Sequence, residues 1–325
     1  MYDKNQRKEV MLNIGGSMDD LLNEFLVSPA KNWQPTDMLP DSNSSNFLNE
    51  VKELQEMANE IDYDLFAVLI GDTITEEALP TYQSWLMGLD GLDQGDRKGW
   101  SQWVRAWTAE ENRHGDLLNK YLYLSGRVNM KEMEISTQYL IGDGFDIHTA
   151  TDPYKNFVYT SFQEIATNVS HRRVAEFVKK QGNDKLAKMC AFVAADEARH
   201  ANAYKEFVRR IFKLDPSEMM LALEYMMKKK IVMPAHFLRE SGEKIGDVFT
   251  YFSDAAQRAK VYTSNDYIDI LKSLLKDWDI ANITGINDKA EKARDYLMAL
   301  PDRLQRISER IAIPQFQHEF KWLTI

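Results

Sequence analysis

The sequence predicts an all-helical protein, and three observations support this fold class. Apolar residues recur at helical spacing from about residue 47 to about 280, without the alternation typical of strands. Glycine- and proline-containing stretches near 88–99, 142–153 and 241–247 divide this region into segments of helix length. Two of those segments carry long apolar seams. We expect one domain over 1–325, with a helical core of about 47–280, an N-terminal segment 1–46, and a tail of about 285–325 that forms a short helix and an extended end.

Composition excludes several classes of protein. The longest uninterrupted apolar run, residues 65–70, is far shorter than the ~20 residues that cross a bilayer, so we expect no membrane segment. Cys190 is the only cysteine, which excludes an internal disulfide and a thiolate-ligated cluster. The net charge of −10 argues against nucleic acid as the main partner.

Four candidate helices are informative, in chain order. The first carries a stripe of Leu65, Leu69, Asp72, Glu76 and Leu79. The second carries a seam of Trp103, Trp107, Glu111, His114, Leu118 and Tyr121. The third carries Phe157, Ser161, Glu164, Thr167 and His171 on one face. The fourth alternates steps of four and three through Leu186, Cys190, Val193, Glu197, His200, Tyr204, Phe207 and Ile211. The acidic and histidine side chains therefore share the core-facing stripes.

A short motif occurs twice on these seams, as EENRH at 110–114 and DEARH at 196–200. A Glu and a His three residues apart project from the same helix face and can bind one metal ion together. Because a buried carboxylate without a partner is very costly, these inward-facing positions favour a cation. The competing interpretation is an exposed ion-pair lattice, such as Glu111 with Arg113, and the inward direction of both seams disfavours it.

Each pair has a lone acidic partner upstream. Glu76 lies 35 residues before Glu111, and Glu164 lies 33 residues before Glu197, which leaves room for two packed helices in each case. Four carboxylates and two imidazoles on four helices are typical of the di-iron or di-manganese site of ferritin-like bundles. We therefore predict a ferritin-like helical bundle with a di-iron site in a four-helix core, plus additional helices. Iron is favoured over zinc because the site is rich in carboxylates and lacks thiolates. The predicted metal ligands are Glu76, Glu111, His114, Glu164, Glu197 and His200.

Longer stretches around these residues resemble the soluble acyl-[acyl-carrier-protein] desaturases, the stearoyl-ACP desaturase family. They include NWQP (32–35), GDTITEEALPTY (71–82), residues 106–127, YTSFQE (159–164) and MPAH (233–236). The similarity extends over roughly residues 30–305. It implies an O₂-dependent enzyme of fatty acid biosynthesis that introduces a cis double bond into a saturated acyl chain carried by acyl carrier protein. It also implies two Fe²⁺ per subunit, ferredoxin as the electron donor, and a homodimer.

The resemblance assigns roles to further residues. Glu76, Glu111 and His114 would hold one iron, and Glu164, Glu197 and His200 the other, with some carboxylates bridging. Trp33 and Asp196 match positions linked to the first-motif histidine and to electron transfer, although Trp33 can also be plain packing. Thr167 matches a threonine linked to O₂ activation, with a core threonine bonded to backbone as the alternative. The basic run, which consists of Lys228, Lys229 and Lys230, is predicted to dock the acidic carrier protein. The alternative is that the run is simply a solvated helix face.

The acyl channel is predicted from the same resemblance. In the C18-specific plant enzymes the helix carrying the counterpart of Glu76 continues into the channel wall, where this chain has Trp85 and Gly88 in place of Met and Thr. Because a rigid indole takes up channel volume, we expect selectivity for chains shorter than C18. The predicted channel residues are Trp85, Leu86, Gly88, Leu89, Asn156 and Phe157.

Three other functions use a similar ligand pattern. Iron storage needs a far shorter chain, and a radical subunit of the ribonucleotide reductase type places a Tyr where this chain has Leu118. A lipid-binding oxidase of the same fold stays open without the family resemblance. We expect a bacterial cytoplasmic protein, or a protein of the plastid stroma if a transit peptide was removed.

Overall fold

The computed structural model describes residues 4–92 and 98–324. These residues form thirteen α-helices and no β-strand, so the predicted all-helical class is confirmed. The helices are α1 (Lys4–Gly15), α2 (Met18–Phe25), α3 (Phe47–Asn59), α4 (Tyr63–Glu77), α5 (Leu79–Met87), α6 (Gly99–Ser125), α7 (Met130–Asp143), α8 (Pro153–Lys180), α9 (Asp184–Leu214), α10 (Pro216–Lys229), α11 (Phe249–Arg258), α12 (Ser264–Asp277) and α13 (Asp288–Ser308). Short 3₁₀ turns lie at Pro35–Asp37, Pro234–Phe237 and Ile280–Asn282.

The core is a four-helix arrangement of α4, α6, α8 and α9. Helices α8 and α9 pack along their lengths, α4 packs against α6, and α6 also contacts α9. A very short connection makes α8 and α9 antiparallel neighbours. Their ends have clear local causes: the Asp152 side chain caps the start of α8, Gly182 adopts a left-handed backbone in the turn, and Asn183 caps α9.

The helix that carries Glu76 ends earlier than the resemblance implied. Helix α4 ends at Glu77, and α5 begins at Leu79 with Pro80 in its first turn. A proline lacks the N–H that would continue the hydrogen-bond ladder of the preceding helix, so Pro80 favours a new helix start over an uninterrupted one. Trp85 and Gly88 consequently belong to α5 and its C-cap, and not to the helix of Glu76.

The terminal regions contain more helix than the sequence suggested. Helices α1 and α2 lie in the N-terminal segment, and α2 packs against both α6 and α9. In the tail, α13 has 21 residues and contains Pro301, so it is longer than the short helix expected there. The division into a helical core and two terminal segments stays a prediction. Within the described ranges, no helix is long and apolar enough to cross a membrane.

Candidate metal centre

The four core helices bring the six predicted ligands together inside the bundle. One group of side chains contains Glu76, Glu111, His114 and Glu197, and a second contains Glu111, Glu164, Glu197 and His200. Within each group the candidate ligand atoms all lie within 4.8 Å of one another, and every residue is buried. Glu111 and Glu197 belong to both groups. The arrangement can therefore accommodate two cations that share two carboxylates.

Each imidazole faces the glutamate of the other motif. His114 Nδ1 lies 3.0 Å from Glu197 Oε1 and 3.3 Å from Glu111 Oε2. His200 Nδ1 lies 2.5 Å from Glu111 Oε1 and 3.7 Å from Glu164 Oε2. The two Nδ1 atoms thus point into the same carboxylate-lined space from opposite helices.

Buried atoms without hydrogen-bond partners show how well this space fits a metal. Among the described residues, five of the six side chains have such an atom: Glu111 Oε1, His114 Nδ1, both carboxylate oxygens of Glu164, Glu197 Oε1 and His200 Nδ1. Leaving polar atoms buried and unpaired costs free energy, and a hard or borderline cation coordinated by O and N ligands removes that cost. The donor set therefore fits a metal cation.

Electrostatic interactions inside the cluster are strong. Burial alone would raise the pKa of Glu111, but the charges of His114 and His200 outweigh it and bring this pKa to about 2. Burial, with the charges of Glu111 and Glu197, raises the pKa of Glu164 well above its ordinary value. Burial opposes imidazolium formation, yet Glu111 and the other acidic neighbours raise the pKa of both histidines well above the usual range. Protons and a metal cation would thus compete for the same atoms.

An outer pair of carboxylates orients the two imidazoles. His114 Nε2 lies 3.4 Å from Asp196 Oδ2, and His200 Nε2 lies 2.9 Å from Glu110 Oε2. Each acidic residue immediately precedes a ligand glutamate, but it contacts the histidine of the opposite motif. A carboxylate on the far nitrogen fixes the ring orientation and directs Nδ1 at the metal position.

Two arginines and the N-terminal segment complete this outer layer. Arg113 Nη2 donates to Asp196 Oδ2 at 2.8 Å, and Arg199 Nη2 donates to Glu110 Oε2 at 2.8 Å. The backbone N–H of Val27 donates to Glu110 Oε1 at 2.6 Å. Trp33 Nε1 donates to Asp196 Oδ2 at 3.1 Å, so Trp33, Asp196 and His114 form a chain from a half-buried indole to a ligand histidine. The structure thus places Trp33 and Asp196 beside His114, and their role in electron transfer stays a prediction.

Two side chains of α8 contact candidate ligand carboxylates. The hydroxyl of Thr167 lies 2.5 Å from Glu197 Oε2 and also bonds to the backbone of Gln163 and Glu164. His171, the last residue of the stripe through Glu164, contacts Glu76 Oε1 through Nε2 at 2.9 Å. Both residues therefore restrain the position of a candidate ligand glutamate.

A cavity with a volume of about 320 Å³ opens onto the carboxylates. Its walls come from α4, α5, α6, α8, α9 and α11, together with residues 231–236 and two tyrosines, Tyr262 and Tyr267. Glu76, Glu111, Glu164 and Glu197 all line it, whereas most of the remaining lining is apolar. Such a cavity can hold an alkyl chain against the candidate metal ligands.

The six predicted channel residues lie elsewhere. All six are within the described part of the chain, and none lines the cavity beside the carboxylates. Trp85 packs against Tyr82, Phe145 and Tyr159, and with Gly88 it borders a separate shallow depression. Phe157 is buried against Trp100 and Phe207, whereas Leu86, Leu89 and Asn156 are also buried. Their role in the acyl channel stays a prediction.

The basic run lies at the exposed end of α10. Lys228 pairs with Glu224 at 2.6 Å, and the side chains of Lys229 and Lys230 are exposed. The next residue is Ile231, which begins the cavity wall formed by residues 231–236. The basic run and the cavity wall are therefore adjacent in the chain.

Sequence reasoning missed Glu110, the two arginines, and the cavity wall at residues 231–236. The repeated motif carried the signal for Glu110, because it occupies the same place in EENRH that Asp196 occupies in DEARH. The arginines occupy the fourth place in both copies. The only signal at the cavity wall was the family resemblance of MPAH (233–236), because the wall has neither periodicity nor titratable clusters.

Comparisons with known proteins agree with this geometry. A family model described as "Fatty acid desaturase" matches residues 6–324. The chain is 49% identical over 308 residues to the chloroplastic stearoyl-[acyl-carrier-protein] 9-desaturase of Spinacia oleracea, covering 94% of this chain and 77% of the relative. It is 48% identical over 310 residues to stearoyl-[acyl-carrier-protein] 9-desaturase 5 of Arabidopsis thaliana, with the same coverage of 94% and 77%. In the solved structures, a candidate acyl-ACP desaturase, DesA2 of Mycobacterium tuberculosis H37Rv, shares the fold with a TM-score of 0.54 and 16% identity, covering 88% of this chain and 99% of that one.

Proposed function

The chain belongs to the fatty acid desaturase family, and from this premise we propose how its buried cluster acts on an acyl chain. It is an acyl-[acyl-carrier-protein] desaturase, an oxidoreductase that introduces a double bond into an acyl chain held by acyl carrier protein. One observation carries the mechanism: buried, unpartnered Glu and His atoms converge where an apolar cavity meets them.

The proposal for the cofactor is two Fe²⁺ per subunit. Glu76, Glu111 and His114 would hold one ion, and Glu164, Glu197 and His200 the other; Glu111 and Glu197 belong to both groups of candidate ligands. When bound, the ions would supply the chemistry that reduces O₂ to two waters, with two protons and two electrons from the acyl chain and two protons and two electrons from outside it. Four buried carboxylates and the lack of thiolates support iron over a softer metal.

The protein's own residues orient and isolate this site. Glu110 and Asp196 hold the two imidazoles in place, and Thr167 and His171 do the same for two carboxylates. The apolar cavity wall excludes water from the reacting carbons and aligns the alkyl chain beside the cluster.

Ferredoxin is the proposed electron donor. Trp33 is half-buried and begins a series of contacts that runs from the surface through Asp196 to His114. Arg113 lies over the Trp33 ring at 4.3 Å from its centroid and also bonds to Asp196, which keeps the indole and the carboxylate in register. These contacts support Trp33 as the last aromatic group before the cluster.

The basic run is the proposed docking site for the carrier protein. Lys228, Lys229 and Lys230 offer positive charge on an acidic protein, next to the cavity wall that begins at Ile231. Opposite charge on the carrier protein would accelerate and orient docking. We also propose that the protein is a homodimer.

The proposed location is the plastid stroma or the bacterial cytoplasm. The chloroplastic names of the relatives support the plastid.

The function is tested with iron-loaded protein, O₂, reduced ferredoxin and acyl-ACP substrates of several lengths. We expect an alkene product, and reduction of O₂ without an alkene would instead favour a lipid-binding oxidase. The metal assignment is tested separately by iron content, where Glu197→Ala and His114→Ala should each bind less iron than the two ions per chain expected of the wild type. Glu176→Ala is the matched control, because Glu176 is an exposed glutamate that pairs with Lys180 on α8. Full iron occupancy in both ligand variants would contradict the assignment.

A further inference from the structure

Two buried hydrogen-bond donors of the cavity have no partner among the described residues. They are the hydroxyl of Tyr262 and Nε1 of Trp107. Burying a donor without a hydrogen bond is costly, so each donor favours a ligand that can accept from it. Trp107 packs against the ring of His200, next to the candidate metal ligands, where the reacting carbons must lie. Tyr262 has no such neighbour.

Tyr262 belongs to the end of the cavity away from the carboxylates. It follows Val261, whose backbone carbonyl accepts from Arg173 Nη1 at 3.3 Å. Arg173 lies one turn beyond Ser170 on α8, and Ser170 is itself a cavity residue two turns from Glu164. Burial is the main cause that raises the pKa of Tyr262, and the nearby Tyr267 and Asp266 raise this pKa further. The hydroxyl therefore keeps its proton.

Two neighbouring polar groups of the cavity already make hydrogen bonds. The hydroxyl of Tyr267 accepts from the backbone N–H of Ile231 at 3.2 Å. Asp72 accepts from the Ser170 hydroxyl at 2.6 Å. Tyr262 therefore stands out as a buried hydroxyl of the cavity that makes no hydrogen bond with the described residues.

An acyl chain on a carrier protein is apolar except at its thioester. Resting on the proposed function, we infer that the Tyr262 hydroxyl donates a hydrogen bond to the thioester carbonyl oxygen of the bound acyl group. This contact fixes the first carbon of the chain and so determines which carbons lie beside the metal ligands. Tyr262 is then a positioning residue for regiochemistry, because it acts on the substrate at a distance from the reacting atoms.

The length of the cavity supports this role. Along α4 it runs from Glu76 to Val68, and along α8 from Glu164 to Ser170, which is about 9–12 Å at about 1.5 Å per residue. A C–C bond of about 1.52 Å advances an extended chain by about 1.3 Å, so this distance corresponds to roughly seven to nine carbons. A carbonyl carbon held by Tyr262 would place carbons near the eighth to tenth positions at the carboxylates. The relatives named above are 9-desaturases, which fits this range.

The test compares Tyr262→Phe with Tyr123→Phe in the iron-loaded enzyme. Both substitutions remove one hydroxyl, but Tyr123 is exposed on α6 and does not line the cavity. Binding of stearoyl-ACP is measured by calorimetry without an electron donor, together with binding of the thioether analogue that has CH₂ in place of the carbonyl. The wild type and Tyr123→Phe should bind the thioester about 2- to 12-fold more tightly than the thioether. In Tyr262→Phe this ratio should fall to about one.

Product analysis supplies a second measurement. With reduced ferredoxin and O₂, Tyr262→Phe should distribute the double bond over neighbouring positions, whereas Tyr123→Phe should keep the wild-type position. An unchanged thioester-to-thioether ratio in Tyr262→Phe overturns the inference, as does an unchanged double-bond position. Absence of any alkene from the wild type would count against the proposed function itself, so the two failures are distinguishable.

Discussion

Gly115 on α6 lies next to the candidate ligand His114 and close to the backbone at the end of α4. A Cβ added there would lie 3.0 Å from Glu77 Cγ, 3.2 Å from Glu77 N and 3.3 Å from the Glu76 carbonyl carbon. Ordinary carbon contacts are about 3.5–4.0 Å, so Gly115→Ala must push the two helices apart by about 0.5 Å. The Glu77 side chain cannot simply turn away, because its Oε1 accepts from Asn119 Nδ2 at 2.7 Å. The displacement therefore falls on the backbone that carries Glu76.

The free energies largely oppose each other. Replacing a helical glycine by alanine stabilises the folded state by about 1 kcal/mol, whereas overpacking costs about 1–3 kcal/mol. The net change for Gly115→Ala is therefore a loss of about 0–2 kcal/mol in the free energy of unfolding. The larger expected effect is on iron, because a shift of Glu76 by a few tenths of an ångström disturbs one candidate ligand of the cluster.

Thermal unfolding and iron content measure the two effects separately. Gly142→Ala in α7 is the matched control, because a Cβ there has nothing within 4 Å and the same change should stabilise by up to about 1 kcal/mol. We expect Gly115→Ala to have a lower Tm and less bound iron than the wild type, and Gly142→Ala to keep its iron. Wild-type iron content with an unchanged or higher Tm in Gly115→Ala would refute the close-packing argument.

Three further predictions concern the outer carboxylates, the basic run and the channel. Glu110→Gln and Asp196→Asn should each weaken iron binding about 10- to 100-fold, because each residue contacts one candidate ligand histidine. Iron titration measures both effects, and impairment of only one variant would contradict equivalent roles for the two carboxylates. Reversing the charges of Lys228, Lys229 and Lys230 should raise KM for acyl-ACP more than it lowers kcat and should flatten its salt dependence. An unchanged KM would make the run a solvated helix face. Trp85→Met should shift preference from shorter chains toward C18 in competition assays with C14, C16 and C18 acyl-ACP. If the wild type already prefers C18 and the variant matches it, Trp85 does not limit chain length.

Much of the fold and the ligand set followed from local periodicity. The face of a helix on which a residue lies follows from its spacing along the helical repeat. The apolar seams through Glu111 and Glu197 therefore indicated that both side chains are buried, without knowledge of which helices pack against them. The helical class and the family resemblance are confirmed by the structure and the comparisons. Helix ends were harder to predict, as the break between Glu77 and Leu79 shows, because capping and proline effects compete with the apolar stripe.

The sequence by itself determined which side chains face inward, because periodicity and a repeated motif are local properties of the chain. Only the tertiary structure decided which of them meet. The crossed pairs, Glu110 with His200 and Asp196 with His114, join residues 90 and 82 positions apart, so they depend on the rotation and offset of whole helices. The cavity has the same origin, since its walls combine the helices of the candidate ligands with residues 231–236 and with Tyr262, which have no helical periodicity that indicates this contact. Helix packing selects such neighbours through the summed fit of many side chains, and no single segment of sequence contains that information.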